Sequence, residues 1–497
     1  MSFRKVRSAR AQLAPLLIAL TLAGCASNAG LHTHAKLVDP GQLGTSESLS
    51  ATPLSTAAWP KETWWTSFGD SQLDALMRSA LNSQPRLGVA EARLRRAQAL
   101  AAMAGARRYP QVDAGLKSTR QRFSEDGTVP PPIAGTWQNV NEMSLSLHYE
   151  LDFWGKNRAA IDAALDRTHA AELSLEAARL MLTTSLAHAY LRLDLAYAQR
   201  DLAQDTLKQR EHILLLTRKR VSAHIDSEIE LTQAEAALPA MRERISTINE
   251  SIALIGNQLA ALQGKGPDAG VRIKRPELAD VSPITLPTNL PAELIGRRPD
   301  VVAQRWLVEA TTQDIKVAKT QFYPNINLSA LVGLQSLGFD NFLNTGSRIL
   351  GIGPAISLPI FDGGRLRGNL QLHQAAYDDA VENYNATVIS ALHDVVDQLV
   401  SLRWLKQQVH EQNQALELSQ HAYDLARARY HNGLANYLQV LATEGQVLMQ
   451  KQRLIQSKSL ERELRLNLIR ALGGGYQRPD EEDEASVPHT HRARSKS

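Results

Sequence analysis

Cysteine occurs once in the 497 residues, at Cys25, which excludes an intramolecular disulfide framework and any cysteine-rich zinc module. Aromatic residues are scarce, at 5%, and beyond the N-terminus no apolar run reaches the roughly 18 residues a membrane-spanning helix needs. A helical membrane transporter is thereby ruled out. Charge of one sign is missing too. The formal net charge is +4, and Arg4, Lys5, Arg7 and Arg10 account for all of it, since residues 1–24 hold no acid. The rest of the chain is neutral and has no electrostatic footprint for nucleic acid. None of these absences excludes a β-barrel membrane protein, whose alternating strands escape hydropathy windows.

The basic segment Arg4 to Arg10 precedes an apolar stretch, Leu13 to Leu22, and together they read as a secretory signal over residues 1–24. Leu22-Ala23-Gly24-Cys25 resembles the bacterial lipobox, in which the cysteine is acylated and becomes the new N-terminus. Each buried methylene of an acyl chain contributes about 0.8 kcal/mol, so several chains anchor durably. Ala26, where an aspartate would retain the protein in the inner membrane, resembles the pattern sorted to the outer membrane. Residues 25–58, rich in Ser, Thr, Gly and Ala, read as a lipidated tether. A Cys25→Ser variant is expected to keep its signal segment and to take up no label when cells are fed a radioactive fatty acid. Label in the variant would remove the lipobox reading.

The chain repeats itself. Gln84-Pro85-Arg86-Leu87 matches Arg298-Pro299-Asp300-Val301, and Arg108-Tyr109-Pro110 matches Phe322-Tyr323-Pro324, both at an offset of 214. Phe153-Trp154-Gly155 matches Phe361-Asp362-Gly363 at 208, and Ala261-Leu262 matches Ala471-Leu472 at 210. Two copies of one unit fill residues 59–265 and 291–476, because self-similarity on this scale marks a structural repeat. A proline-rich linker, 266–290, joins them, and a polar tail, 477–497, follows.

Each copy has the order helix, strand, strand, long helical region. From Met143 to Phe153 every odd residue is apolar and every even one polar, the period of a half-buried strand. Ile352 to Ile360, Val112 to Phe123 and Ile326 to Leu334 are its companions. At about 9–11 residues they suit tilted transmembrane strands, although ordinary strands of a soluble sheet share the pattern. Four strands cannot close a membrane barrel, which takes at least about eight, so spanning strands require a barrel shared between subunits. From Lys156 to about Val221, and from Arg365 to about Tyr430, almost nothing breaks a helix. Apolar residues recur there at coiled-coil spacing: Leu175, Ala178, Leu182, Leu186, Ala189, Leu193 and Ala196, then Ala380, Tyr384, Val388, Ala391, Val395, Leu399 and Leu402. Some 65 residues at 1.5 Å each make a helix about 100 Å long. After polar turns (Ser222 to Ser227, His431 to Asn436) shorter helices return, and Pro239 is expected to interrupt and kink the first.

These features, with Trp64-Trp65, Arg297-Arg298-Pro299-Asp300, Phe322-Tyr323-Pro324, Phe361-Asp362-Gly363-Gly364-Arg365 and Ala471-Leu472-Gly473-Gly474-Gly475, resemble the TolC-like outer-membrane efflux ducts, in their NodT-type lipoprotein branch. The resemblance implies an α+β membrane protein and a homotrimer. Four strands per subunit form a shared trimeric β-barrel, and the long coiled-coil helices a periplasmic tunnel. It implies a passive channel, held in the outer membrane lipid and working with a periplasmic adaptor protein and an inner-membrane efflux pump to export small toxic compounds. A duct for polypeptides and a periplasmic coiled-coil scaffold without a pore stay open as alternatives.

No catalytic constellation stands out, and neither a cofactor nor a metal is expected. His32, His34, His489 and His491 lie in polar tails, and Asp480 to Glu484 reads as a solvated acidic run. Gly473 to Gly475 follows a helix and reads as a cap, and the Trp64-Trp65 pair as packing. In the resembled family the helix turns close the periplasmic end, and acids just inside them form rings. Carried over by motif, Glu230 takes the first acidic position, where three copies would favour cations and raise their own pKa by mutual repulsion. Gln439 and Ala442 stand where relatives carry aspartate, which leaves Leu438 as a candidate apolar constriction. Tyr430 is either a latch between neighbouring helices or a core residue.

Overall fold

The computed structural model describes residues 29–44, 47, 59–279 and 296–476. Cys25, the C-terminal tail and residues 280–295 of the linker lie outside them. The elements are α1 (Ser71–Ser83), α2 (Pro85–Ala106), β1 (Gln111–Arg122), β2 (Trp137–Glu150), α3 (Lys156–Ser222), α4 (Glu228–Leu262), α5 (Asp268–Val271), α6 (Pro299–Thr320), β3 (Asn325–Leu337), β4 (Arg348–Ser357), α7 (Arg365–His431) and α8 (Tyr437–Ala471). The repeat survives in detail. Helices α2 and α6 have 22 residues each, α3 and α7 have 67, and α4 and α8 have 35. From α3 onward the two copies keep one offset of 209, as Lys156 and Arg365 at the helix starts show; the residue added after the Phe-x-Gly match is Gly364.

Two compact units divide the chain: residues up to 37 with 93–171 and 304–385, and residues 38–92 with 172–303 and 386–497. The first unit holds an antiparallel sheet of order β1-β2-β3-β4. Its register sorts the side chains. Leu145 opposes Ala114 and Val332, Leu147 opposes Val112 and Ala330, and Val332 opposes Leu350, so one face is apolar across all four strands. The other face carries Asp113, Lys117, Glu142, Ser144, Ser146, His148 and Glu150, with Lys117 opposite Glu142. Leu116, Leu145, Leu350 and Ile352 on the apolar face are 75%, 50%, 77% and 80% exposed, so nothing among the described residues covers that face.

Several strand boundaries differ from the expected ones: β2 begins at Trp137, before Met143, and β3 runs on to Leu337, past Leu334. β2 stops at Glu150, short of Phe153, because the Asp152 carboxylate turns to accept the Arg158 N–H at 2.9 Å in the first turn of α3. β4 starts at Arg348 and stops at Ser357, short of Ile360. Pro359 has no N–H for a ladder, and Asp362 accepts from Gly364 and Leu366 to begin α7. Helix α4 corrects a further expectation: it continues through Pro239 without interruption. Ala234, Leu238 and Met241 on both sides of the proline are buried, and their packing offsets the lost hydrogen bond.

The second unit is built on the predicted helix stripes. Leu175, Leu182, Leu186, Ala189, Leu193 and Ala196 are buried in α3, and Val388, Ala391, Val395 and Leu399 in α7, where the stripe opens with Ala380 and Tyr384 in the first unit. Trp64, Trp65 and Phe68 pack with Leu73, Met77, Leu186, Tyr190, Leu259 and Leu466 in one core, so the tryptophan pair is packing. Asp70 caps α1 through the N–H groups of Gln72 and Leu73, and also accepts from the Tyr190 hydroxyl and the Glu277 N–H. Burial opposes its charge, yet these donors hold the carboxyl below the usual range. The motif arginine Arg298 clamps Asp300 and Asp394, joining α6 to α7. Gly473, Gly474 and Gly475 all have positive φ after α8 and form the expected cap. A Cβ at Gly475 would sit 2.2 Å from the Lys61 carbonyl carbon, so only glycine fits there.

Candidate functional site

The candidate site is the pair of turns where α3 passes to α4 and α7 to α8, all within the second unit. Both turns close alike. Ile225 N–H bonds the Arg220 carbonyl and Leu434 N–H the Arg429 carbonyl, after a left-handed residue at His224 (φ 57°) and Gly433 (φ 75°). This is the Schellman ending of a helix, and a histidine in its left-handed position is uncommon. The returning helices are capped by Ser227 and Asn436, again one offset of 209 apart.

Tyr430 is buried, at 1% exposure, and its hydroxyl reaches a neighbouring helix. Its hydroxyl donates to Asp226 Oδ2 at 2.7 Å and lies 3.0 Å from Thr217 Oγ1 on α3. Arg220 grips Asp226 with two bonds, Nε to Oδ2 at 2.8 Å and Nη2 to Oδ1 at 2.9 Å. The same guanidinium donates to the Tyr430 carbonyl and covers the Tyr430 ring at 4.3 Å. Three segments thus share one desolvated knot: the end of α3, the first turn and the end of α7. Its charges are complementary. The hydrogen bond from Arg220 holds Asp226 below the usual carboxylate range, and burial pushes Tyr430 up to about 12. Neither Arg220 nor Asp226 had been singled out, because no local pattern marks partners about 200 residues from Tyr430.

Glu230 is placed differently from the expectation of a free acid. It is the third residue of α4, and its Oε2 accepts from the Ser227 N–H at 2.9 Å and from the Ser227 hydroxyl, a capping box. Those donors, the Ser227 hydroxyl foremost, hold its carboxyl below the usual range. The Ser-x-x-Glu spacing of Ser227 and Glu230 was a readable sign of this cap. Leu438 is 47% exposed, and its repeat equivalent Ile229 66%. Deeper in the same bundle Glu444 meets Arg210 at 3.1 Å, and burial pushes its carboxyl up. His32 and His34 are neighbours at 5.0 Å, but among the described residues no group of three or more ligating side chains could hold a metal. No described helix is long and apolar enough to cross a membrane.

A four-stranded sheet with one apolar face, one polar face and, among the described residues, two unpaired edges suits a barrel shared between subunits. The model of the outer membrane efflux protein family matches residues 76–265 and 290–474, and the chain belongs to that family. It is 40% identical over 363 residues to the fusaric acid resistance protein FusA of Burkholderia cepacia, covering 72% of this chain and 68% of the relative. It is 32% identical to the pyoverdine export outer membrane protein OpmQ of Pseudomonas aeruginosa, over 83% of this chain and 87% of that one. Among solved structures, the outer membrane protein VceC of Vibrio cholerae aligns with a TM-score of 0.80 at 37% identity, over 84% of this chain and all of that one. The Campylobacter jejuni CmeC outer membrane channel shares the fold, with a TM-score of 0.80 at 22% identity. The architecture is accordingly that of the TolC-like channels, and the family is one of export ducts, which agrees with the resemblance read from the sequence.

Proposed function

We propose that the chain is the outer-membrane duct of a tripartite export system. It assembles as a homotrimer, is anchored through acylated Cys25, and joins a periplasmic adaptor to an inner-membrane pump. The observation that carries this is the two-faced sheet: its apolar face suits lipid, its polar face a water-filled lumen, and its free edges β1 and β4 suit pairing with neighbouring copies. A pore-less scaffold has no use for such a sheet. Relatives named for multidrug resistance and pyoverdine export favour small compounds over polypeptides as cargo. Purified full-length protein is expected to run as a trimer by light scattering and to conduct in planar bilayers. A stable monomer with an intact β signal would refute the shared barrel.

In this reading the two turns form the periplasmic gate, with Glu230 and Leu438 facing the axis and Tyr430 as the latch behind them. Three Glu230 carboxylates around an axis favour cations. Their mutual repulsion raises the pKa, while the Ser227 cap works against that rise. Glu230→Gln is expected to weaken cation preference and block by trivalent cations from the periplasmic side. Glu228, about 200° away around the helix, serves as the control. If both variants match the parent, Glu230 is only a cap, and Leu438 becomes the next position to test.

A further inference from the structure

The repeat makes two strand-to-helix junctions, and they differ in where the helix-capping aspartate stands. In the second copy Asp362 follows Phe361 and caps α7. In the first copy the cap comes from Asp152, one residue before Phe153, so the position after the phenylalanine is free of that duty. Trp154 occupies it. The Trp154 Nε1–H donates to the Pro324 carbonyl at 2.8 Å, and the indole stacks on Tyr323 with centroids 5.0 Å apart and planes 21° apart. This hydrogen bond and stack fix the indole. Trp154 and Tyr323 nevertheless remain 49% and 47% exposed.

Beside them lies a cavity of about 170 Å³ whose lining includes Glu150, Trp154, Lys156, Tyr323, Ser357 and Arg365. All of it belongs to the first unit. A cavity of about 150 Å³ holds one benzene ring, so this one has room for a single substituted ring. The strand register places Glu150 and Ser357 on the polar face of the sheet, where Glu150 opposes Asn327 and Ser357 opposes Asn325. The charges at the wall are unequal in availability. Lys156 is committed to Glu150 at 2.9 Å, and Asp152 to the Arg158 N–H. The Arg365 guanidinium has no partner among the described residues. A fixed aromatic platform beside one uncommitted guanidinium is complementary to a flat ring bearing a carboxylate.

We propose that this cavity is a way-station for aromatic acids in the duct, the ring lying on Trp154 and Tyr323 and the carboxylate meeting Arg365. The proposal rests on the channel reading, since only there does the polar face meet passing cargo. Binding in a conduit must be weak enough for release. Benzoate added to single full-length channels in a planar bilayer is therefore expected to cause brief, reversible interruptions of the current at millimolar concentration. Benzyl alcohol and benzylamine should need at least about tenfold more. Arg365→Gln and Trp154→Leu should each raise the half-blocking benzoate concentration by a similar factor, and Arg158→Gln, a neighbouring charge outside the cavity, should leave it unchanged. Equal block by benzylamine, benzoate block untouched by Arg365→Gln, or no block in a conducting channel would overturn the site. If Trp154→Leu fails to assemble, Arg365→Gln still decides. Absence of any conducting channel would instead overturn the duct reading beneath it.

Discussion

Asp226→Asn is expected to convert a channel of low, flickering conductance into one that stays open with several-fold larger current. The substitution keeps the shape of the side chain and removes the only counter-charge, among the described residues, of Arg220, whose side chain is 8% exposed. Leaving one member of a buried ion pair without its partner costs about 3–5 kcal/mol. The same atom, Asp226 Oδ2, also receives the Tyr430 hydroxyl, so the loss reaches α7 as well as the first turn. Tyr430→Phe removes a single hydrogen bond, worth about 1 kcal/mol net, and should open the channel less. Acid should do in the parent what asparagine does in the variant. The Asp226 carboxyl lies below its unfolded value, through its bonds from Arg220 foremost. Its contribution is therefore complete above about pH 4 and is lost as the pH falls through the folded value. Single-channel recordings between pH 3 and 7 should show acid opening in the parent and none of this dependence in Asp226→Asn. A variant with parental current across that range would show that the knot is structural and holds no gate.

Leu145→Arg should abolish assembly, whereas Ser146→Arg should spare it. Leu145 is flanked by Ala114 and Val332 on the apolar face, and Ser146 by Asp113 and Leu331 on the other. An arginine at the lipid-facing midplane of a barrel strand costs about 2–4 kcal/mol, and a trimer incurs that cost three times. Next to Asp113 on the polar face, the same side chain gains a carboxylate neighbour and water. Outer-membrane fractionation and trimer bands on unheated gels would measure the difference. Assembled Leu145→Arg trimers at parental yield would mean that this face does not meet lipid, and the barrel reading would fail with it.

What could be read along the chain was whatever repeats at short range. The strand period of two, the three-and-four spacing from Leu175 to Ala196, and the matched copies each depend on neighbours within a few residues. They sufficed for the helix ends at Ser222 and His431, within a residue or so. They also gave the family through its motifs. Where β2 and β4 stop was decided by the helices that follow them, because Asp152 and Asp362 bond the first turns of α3 and α7 and not the ladders. Glu230 carries a local sign of its place, since a serine three residues before it already specifies a cap. Pro239 shows the opposite, a local rule overruled by buried neighbours on both sides. The knot of Arg220, Asp226 and Tyr430 and the stack of Trp154 on Tyr323 have no signature in either copy. Tyr430 lies 204 and 210 residues from Asp226 and Arg220, and Tyr323 lies 169 from Trp154, separations that no periodicity spans. Only the packing of the α7 end against the end of α3, and the antiparallel pairing of β2 with β3, bring those side chains within hydrogen-bonding or stacking distance.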